Sequence, residues 1–181
     1  MKRILITGAA GSIGSALTYN LLKNENGAIV CALDSSEDGL FRLRQNARSL
    51  GVDENLRDFL GDIRDLERIK FAMDSCTEVY HCAALKHVHL SEYNPFEVIK
   101  TNVMGAKNII QASIKNNVNK IVALSTDKAV HPINLYGASK LASDKLFVAA
   151  NNTAGNTKSV FSVVRYGNVM GSRGSVIPYF K

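Results

Sequence analysis

A chain of 181 residues with 46% hydrophobic content is the size of one ordinary domain and is able to bury a sizeable core. It has no apolar run of the roughly 18 residues that a membrane span requires, and Met1-Lys2-Arg3 leads through the short stretch Ile4 to Ile6 straight into Thr7-Gly8 rather than into a secretion-signal core, so the expected location is the cytoplasm. The formal charge of +6 is scattered, with no dense basic run interleaved with aromatics, which argues against a nucleic-acid partner.

Short β-branched or apolar runs alternate with longer amphipathic segments. The runs are Arg3 to Thr7, Ala28 to Leu33, Arg57 to Leu60, Val79 to Ala83, Lys120 to Leu124 and Ser159 to Val164. Between them Ser12 to Leu22, Glu37 to Ser49, Leu66 to Met73, Pro95 to Asn116 and Tyr136 to Asn151 read as helices, with Asp65 and Asn94 at cap positions and Pro95 at a first helical position. This order predicts an α/β fold of the Rossmann type, a doubly wound parallel sheet with helices on both faces. Residues 1–181 read as one dinucleotide-binding domain. The chain stops at Tyr179-Phe180-Lys181 with no terminal signal, so the expectation is the N-terminal part of a longer enzyme, cut before its substrate-binding region. Cys31, Cys76 and Cys82 have no metal-ligand spacing and are expected to be reduced, structural thiols, with no metal site.

Directly after the first strand, Gly8, Gly11 and Gly14 form a T-G-x-x-G-x-x-G turn that opens the first helix. The first glycine permits the tight turn, the second lets backbone approach a pyrophosphate, and the third lets helix and strand pack closely. Ser12 and Ile13 lie at the helix start between them, where amides and dipole attract phosphate. The spacing resembles the variant found in short-chain dehydrogenases/reductases. Asp34 ends the second strand 20 residues after Gly14, where an acid accepts hydrogen bonds from ribose hydroxyls; its charge opposes a 2′-phosphate, and Ser35 and Ser36 bring no arginine, which favours NAD over NADP. The bland alternative makes Asp34 a helix cap. Asp62 and Ile63 resemble an acidic-aliphatic pair placed against adenine, although Asp62 also reads as a helix cap. His81, Ala83 and Ala84 match a segment that runs beside the cofactor.

Beyond the fifth strand stand Ser125-Thr126-Asp127-Lys128, then Tyr136 and Lys140. The Y-x-x-x-K spacing puts phenol and ammonium one turn apart on one helix face, where a cation favours the phenolate. Tyr136 is then suited to remove a hydroxyl proton while a hydride leaves the same carbon. Asp127 and Lys128 add an acid and a base suited to elimination: the acid for a departing C6 hydroxyl, the base for a C5 proton acidified by a C4 ketone. The pair also reads as a loop ion pair or a cap, and the residues alone leave both open.

From Gly8 onward the chain resembles the CapD-like polysaccharide-biosynthesis family of nucleotide-sugar dehydratases, above all its configuration-inverting UDP-N-acetylglucosamine 4,6-dehydratases. The resemblance lies in Ala83-Ala84-Leu85-Lys86-His87-Val88, Glu92-Tyr93-Asn94-Pro95, Lys100-Thr101-Asn102, Ala123 to Lys128, Pro132 to Tyr136, Ser162 to Asn168 and Gly171-Ser172-Arg173-Gly174-Ser175. It implies that Thr126, Asp127, Lys128, Tyr136 and Lys140 are catalytic, with Thr126 holding the sugar hydroxyl. It also implies that Lys86, Asn168, Ser172 and Arg173 lie near cofactor or substrate. The implied cofactor is NAD or NADP, the substrate a UDP-linked amino sugar, and the intact enzyme a homo-oligomer. Tyr136 stands where retaining relatives often carry methionine, which leans toward inversion. Asp34 departs from the more basic cofactor region of inverting relatives, and His89 stands where proline is common. Two rival readings share these residues: a nucleotide-sugar 4-epimerase, which needs a hydroxyl residue with Tyr136 and Lys140 but not Asp127 and Lys128, and a non-catalytic dinucleotide-sensing module.

Overall fold

The computed structural model describes residues 2–155 and 157–169. Its strands are β1 (Arg3–Thr7), β2 (Ile29–Asp34), β3 (Leu56–Leu60), β4 (Glu78–His81), β5 (Lys120–Thr126) and β6 (Val160–Tyr166). They form one sheet in the order β3-β2-β1-β4-β5-β6, and every pairing is parallel. The helices are α1 (Ser12–Asn24), α2 (Glu37–Ser49), α3 (Leu66–Ala72), α4 (Val88–Tyr93), α5 (Pro95–Val98), α6 (Gly105–Lys115) and α7 (Leu135–Thr153).

Because successive strand residues point to opposite faces, β1 supplies both cores. Ile4 and Ile6 pack with Val30, Ala32, Leu40 and Leu43 under α1 and α2. Leu5 packs on the other side with Val79, Ile121, Ile69, Ile109 and Phe147 under α3, α6 and α7. The expected doubly wound architecture is thus present. The strand order reverses between β1 and β4, which opens a crevice at the carboxyl ends of these strands.

Four details differ from the sequence expectation. Strand β5 runs on to Thr126 because Ser125 and Thr126 pair with Arg165 and Tyr166 of β6, an extension that polar residues do not announce. Strand β4 ends at His81, so Ala83 and Ala84 belong to the loop beyond it. The long segment from Pro95 is α-helical, then π-helical over Ile99–Met104, then α-helical again. Helix α4 was not anticipated. Asn94 closes it, its Nδ2 donating to the Leu90 carbonyl at 3.1 Å, and does not cap α5 with its side chain; Asp65 does cap α3, accepting from the Arg68 amide at 3.0 Å. Cys31, Cys76 and Cys82 are free thiols. Among the described residues no helix is long and apolar enough to cross a membrane.

Candidate active site

The glycine turn is built by close approach of two backbones. Gly8 has φ +66°, and a Cβ there would lie 2.7 Å from the Ala83 Cα, so the position needs glycine both for its conformation and for the passage of the Cys82-Ala83 segment. That segment is tied to β1, the Cys82 amide donating to the Thr7 carbonyl at 3.0 Å. A Cβ on Gly14 would run into the Gly8 carbonyl, which confirms the packing role of the third glycine. Two adjoining cavities, of about 440 and 480 Å³, open along this edge and share Gly8, Gly11, Cys82, Ala84 and Leu85.

The first cavity also holds Asp34, Asp62 and Ile63. The Asp34 carboxylate accepts from the Ala10 amide and the Ser36 amide, both at 2.9 Å, and so braces the glycine turn against the end of β2. It does not cap α2, because Ser36 does that by accepting from the Gly39 amide at 3.0 Å. Asp62 likewise caps no helix. It accepts from the Arg64 amide at 2.8 Å and from the Arg64 guanidinium at 2.6 and 2.8 Å, and Arg64 reaches on to Glu97 at 2.7 Å. Burial pushes the Asp62 carboxyl up, but its hydrogen bonds and charge pairing with Arg64 outweigh this and hold it below its ordinary value. Ile63 is buried in the core as well as lining the cavity.

The second cavity contains Ser12, Ile13 and Gly14 at the start of α1, and opposite them Lys86, Thr126, Lys128, Tyr136 and Asn168. Ser172 and Arg173 lie outside the described residues. The end of β5 and the start of α7 are pressed together because Gly137 faces the Lys128 carbonyl, where a side chain would collide with it. Asn134 caps α7 by accepting from the Gly137 amide at 2.8 Å, and Glu92 of α4 accepts from the Leu135 amide at 2.7 Å. Thr126 and Tyr136 are thereby brought to one cavity wall.

At the rim, the Thr126 hydroxyl donates to Asp127 at 3.0 Å, and the Lys128 ammonium donates to Asp127 at 3.2 Å and to Asn168 at 3.3 Å. The loop ion pair weighed from the residues is therefore present. Hydrogen bonds from Lys128 and Thr126 hold the exposed Asp127 carboxyl below its ordinary value. The Tyr136 phenol is raised, since burial outweighs the downward pull of Thr126 and Lys128. Lys140 is buried, and its ammonium donates to the Leu124 carbonyl at 2.7 Å. Burial pushes its pKa down to about 8. The expected Tyr136–Lys140 couple shares one helix face, but the groups drawing the phenol down come from the β5 end.

His81 is fully buried, its Nδ1 2.8 Å from the Thr7 hydroxyl and its ring 5.6 Å from that of Phe147. It is part of the core beneath the site and lines neither cavity. His87 and His89 are exposed. Asn102, in the π-helical turn, escaped notice as a functional residue. It is buried, its amide donates to the Leu85 carbonyl at 2.9 Å and the Ser139 hydroxyl at 3.0 Å, and its oxygen accepts from the Leu85 amide at 2.9 Å. It clamps the cavity-lining loop to α7. Only the break in helical geometry marks it, and that break is invisible in the sequence.

A glycine-turn cleft at the switch point, joined to a Thr-Asp-Lys turn and a Tyr-x-x-x-Lys helix, is the architecture of the short-chain dehydrogenase/reductase fold. Residues 4–181 match the polysaccharide biosynthesis protein family, and the chain belongs to that family. It is 55% identical over 183 aligned residues to a UDP-N-acetylglucosamine 4,6-dehydratase (inverting) of Campylobacter jejuni subsp. jejuni serotype O:23/36 (strain 81-176), covering 99% of this chain and 53% of that protein. The chain thus spans about half the length of the curated relatives it matches. Among solved structures, Pen from Bacillus thuringiensis superposes with a TM-score of 0.94 at 42% identity, covering 99% of this chain and 54% of that one. A Thermus thermophilus UDP-glucose 4-epimerase in complex with NAD superposes with a TM-score of 0.79 at 28% identity, covering 96% of this chain and 57% of that one.

Proposed function

We propose that this chain is the dinucleotide-binding and catalytic half of a C5-inverting UDP-N-acetylglucosamine 4,6-dehydratase, which makes a 4-keto-6-deoxy sugar for surface glycan synthesis. The observation that carries this reading is the packing of the Thr126-Asp127-Lys128 turn onto the first turn of α7 through Gly137, which brings a hydroxyl, a lysine and a phenol to one cavity and holds Asp127 on Thr126 and Lys128 at 3.0 and 3.2 Å. The 55% identity to the Campylobacter enzyme supports the substrate class.

The residues present fit a nicotinamide dinucleotide. The close approach at Gly8 and Gly14 leaves the start of α1 open for a pyrophosphate, and Asp34 faces the cavity beside it. When bound, the nicotinamide would take a hydride from the sugar C4 and return it to C6 after the C6 hydroxyl has left. NAD is the preferred form, since a 2′-phosphate would meet Asp34, and Arg64 on that side is already engaged by Asp62 and Glu97. NAD should bind at least about tenfold tighter than NADP, roughly 1.4 kcal/mol. Titration of an Asp34→Asn variant should show the preference shrinking, and an unchanged ratio would refute the assignment.

The phenolate of Tyr136, favoured by the Lys140 ammonium one helical turn away, takes the C4 hydroxyl proton and becomes the phenol while Thr126 holds that hydroxyl. Lys128 removes the C5 proton, and Asp127 gives a proton to the leaving C6 hydroxyl. As an ion pair the two hold the wrong forms for this, but one proton passed across their 3.2 Å contact yields a neutral acid and amine. A sugar that displaces water from the rim favours this neutral pair, because burying separate charges is costly. Lys86 and Asn168, both at the second cavity, are placed to meet the nucleotide sugar, with Ser172 and Arg173 following in sequence.

We also infer that much of the sugar pocket lies outside this chain, that the intact enzyme works in the cytoplasm, where free thiols persist, and that it is a homo-oligomer. Exposed Leu90, Tyr93 and Phe96 on α4 and α5 supply apolar surface for such assembly. A second reading, a 4-epimerase, draws on the likeness to the Thermus enzyme and leaves Asp127 and Lys128 without a task. Incubating the full-length protein with UDP-N-acetylglucosamine and catalytic NAD in deuterated water separates these readings by mass spectrometry and proton NMR. The dehydratase loses one water and gains deuterium at an inverted C5. An isomer of unchanged mass would establish the epimerase, and binding of NAD with no turnover of nucleotide sugars would leave a sensing module.

A further inference from the structure

Lys140 is 4% exposed, and its ammonium rests on one neutral acceptor, the Leu124 carbonyl at 2.7 Å. A buried cation held only by a carbonyl carries most of its desolvation cost uncompensated. The titratable groups facing it come from three elements. From the end of β4 come His81, pushed by burial down to about 3 and so neutral, and Cys82, pushed by burial up to about 12 and so a thiol. From β6 comes Tyr166, raised by burial to about 12, near Cys82 and Tyr136. On α7 itself stand Tyr136, raised by burial, and Asp144. Asp144 is the one carboxylate among these groups, and it is ion-paired to Arg165.

Asp144 follows Lys140 by four residues and so lies on the same helix face one turn on. It is 4% exposed, and its carboxylate accepts from the Arg165 guanidinium at 2.9 Å. Arg165 sits on β6 in register with Ser125, the residue after Leu124. The strand that flanks the Lys140 acceptor therefore also anchors the buried carboxylate. Arg165 is 41% exposed along its side chain and does not need a buried partner for its own solvation. A carboxylate kept in the interior on the helix face of Lys140, one turn away, has a second cation to serve.

We propose that Asp144, anchored by Arg165, is a positioning residue that keeps Lys140 charged and oriented at the Leu124 carbonyl, one turn from Tyr136. This deepens the dehydratase reading and takes from it the role of Tyr136 as proton acceptor. The low pKa of Lys140, about 8, gives the arrangement a purpose, because burial alone lowers it and Asp144 is the largest influence raising it. Without the carboxylate, the amine loses its proton near neutral pH and the phenol loses its neighbouring cation.

Lysine Cε NMR of the full-length protein, with the Lys140 signal identified by its loss in a Lys140→Met variant, reads the titration directly. The Asp144→Asn variant should lower the midpoint by about one pH unit or more, and Asp144→Glu should restore most of it. An unchanged midpoint in the Asn variant overturns the proposal. If that variant does not fold, the same substitution in an Arg165→Gln background, which leaves no guanidinium unpaired, decides the matter: Asp144→Asn should lower the Lys140 midpoint there too, and no change overturns the proposal. With UDP-N-acetylglucosamine, the alkaline limb of the kcat profile should move down by the same shift in Asp144→Asn while KM holds; a uniform loss at every pH, with no moved limb, marks a merely structural residue and also overturns it. The NMR midpoint needs no turnover, so shifted midpoints in a protein inactive on nucleotide sugars would sink the dehydratase reading and leave the electrostatic role standing.

Discussion

Gly8 shows how much one position decides. Its backbone adopts a conformation that L side chains pay about 1–2 kcal/mol to enter, and its missing side chain is the space through which Ala83 passes. Gly8→Ala should therefore lower the melting temperature and weaken dinucleotide binding by more than about tenfold, as the turn and the loop beyond β4 are forced apart. Calorimetry with NAD checks both, and retention of wild-type affinity would show that the close approach is dispensable. His81 makes a different prediction. Burial, then the charge of Lys140, push its imidazole down to about 3 from 6.5. As the pH falls below 6.5, the unfolded chain takes up a proton on this ring that the folded chain refuses until about pH 3. Folding stability is thus lost through that window, on the order of 5 kcal/mol in all. Denaturant melts should show a shallower acid slope in His81→Asn than in the wild type, and parallel slopes would rule this residue out as the source.

Among the elements, the junction of β5 with α7 governs the proposed chemistry. The Gly137 approach to the Lys128 carbonyl and the Lys140 bond to the Leu124 carbonyl cross it, while the Asn134 cap and the Glu92 bond to the Leu135 amide fix the start of α7. Gly137→Ala pushes the Asp127–Ala129 turn off the helix and should reduce kcat by about 100-fold while NAD affinity stays within about threefold, since the glycine turn lies on another strand. A variant that loses NAD affinity as well would mean that the two halves of the cleft are coupled more tightly than their separate supports imply. At this scale the sequence was partly legible. The Y-x-x-x-K helix and the T-G-x-x-G-x-x-G turn announce themselves because their spacing matches a helical turn and a backbone turn. Asn102 and Asp144 do not, since each looks like an ordinary polar helix residue until Leu85, Ser139 or Arg165 is brought against it.

For the molecule as a whole, the cleft lies where the strand order reverses, so its two cavities are products of the sheet rather than of any one segment. Since the chain spans about half of its relatives, the proposal predicts a division of labour: the 181-residue chain binds NAD but turns over no nucleotide sugar, and the full-length protein does both. Calorimetry and product analysis on the two proteins test it, and turnover by the short chain would place the sugar pocket within residues 1–181. Sedimentation of the full-length protein tests its assembly, a monomer at working concentration being the result that removes the oligomer.

The sequence by itself determined the alternation of strand and helix, the glycine turn and the place of the acid at the end of β2, because hydrophobic period, turn geometry and strand-end position are local properties that neighbouring residues dictate. Only the tertiary structure decided the rest. It made Asp34 a brace for the turn rather than a cap, tied Asp62 to Arg64, extended β5 through polar residues by pairing them with β6, and joined Asp144 to Arg165. Charge states belong to that second group as well. Lys140 and His81 owe their depressed pKa values first to burial, and burial is a property of packed faces far apart in the chain, not of the residues on either side.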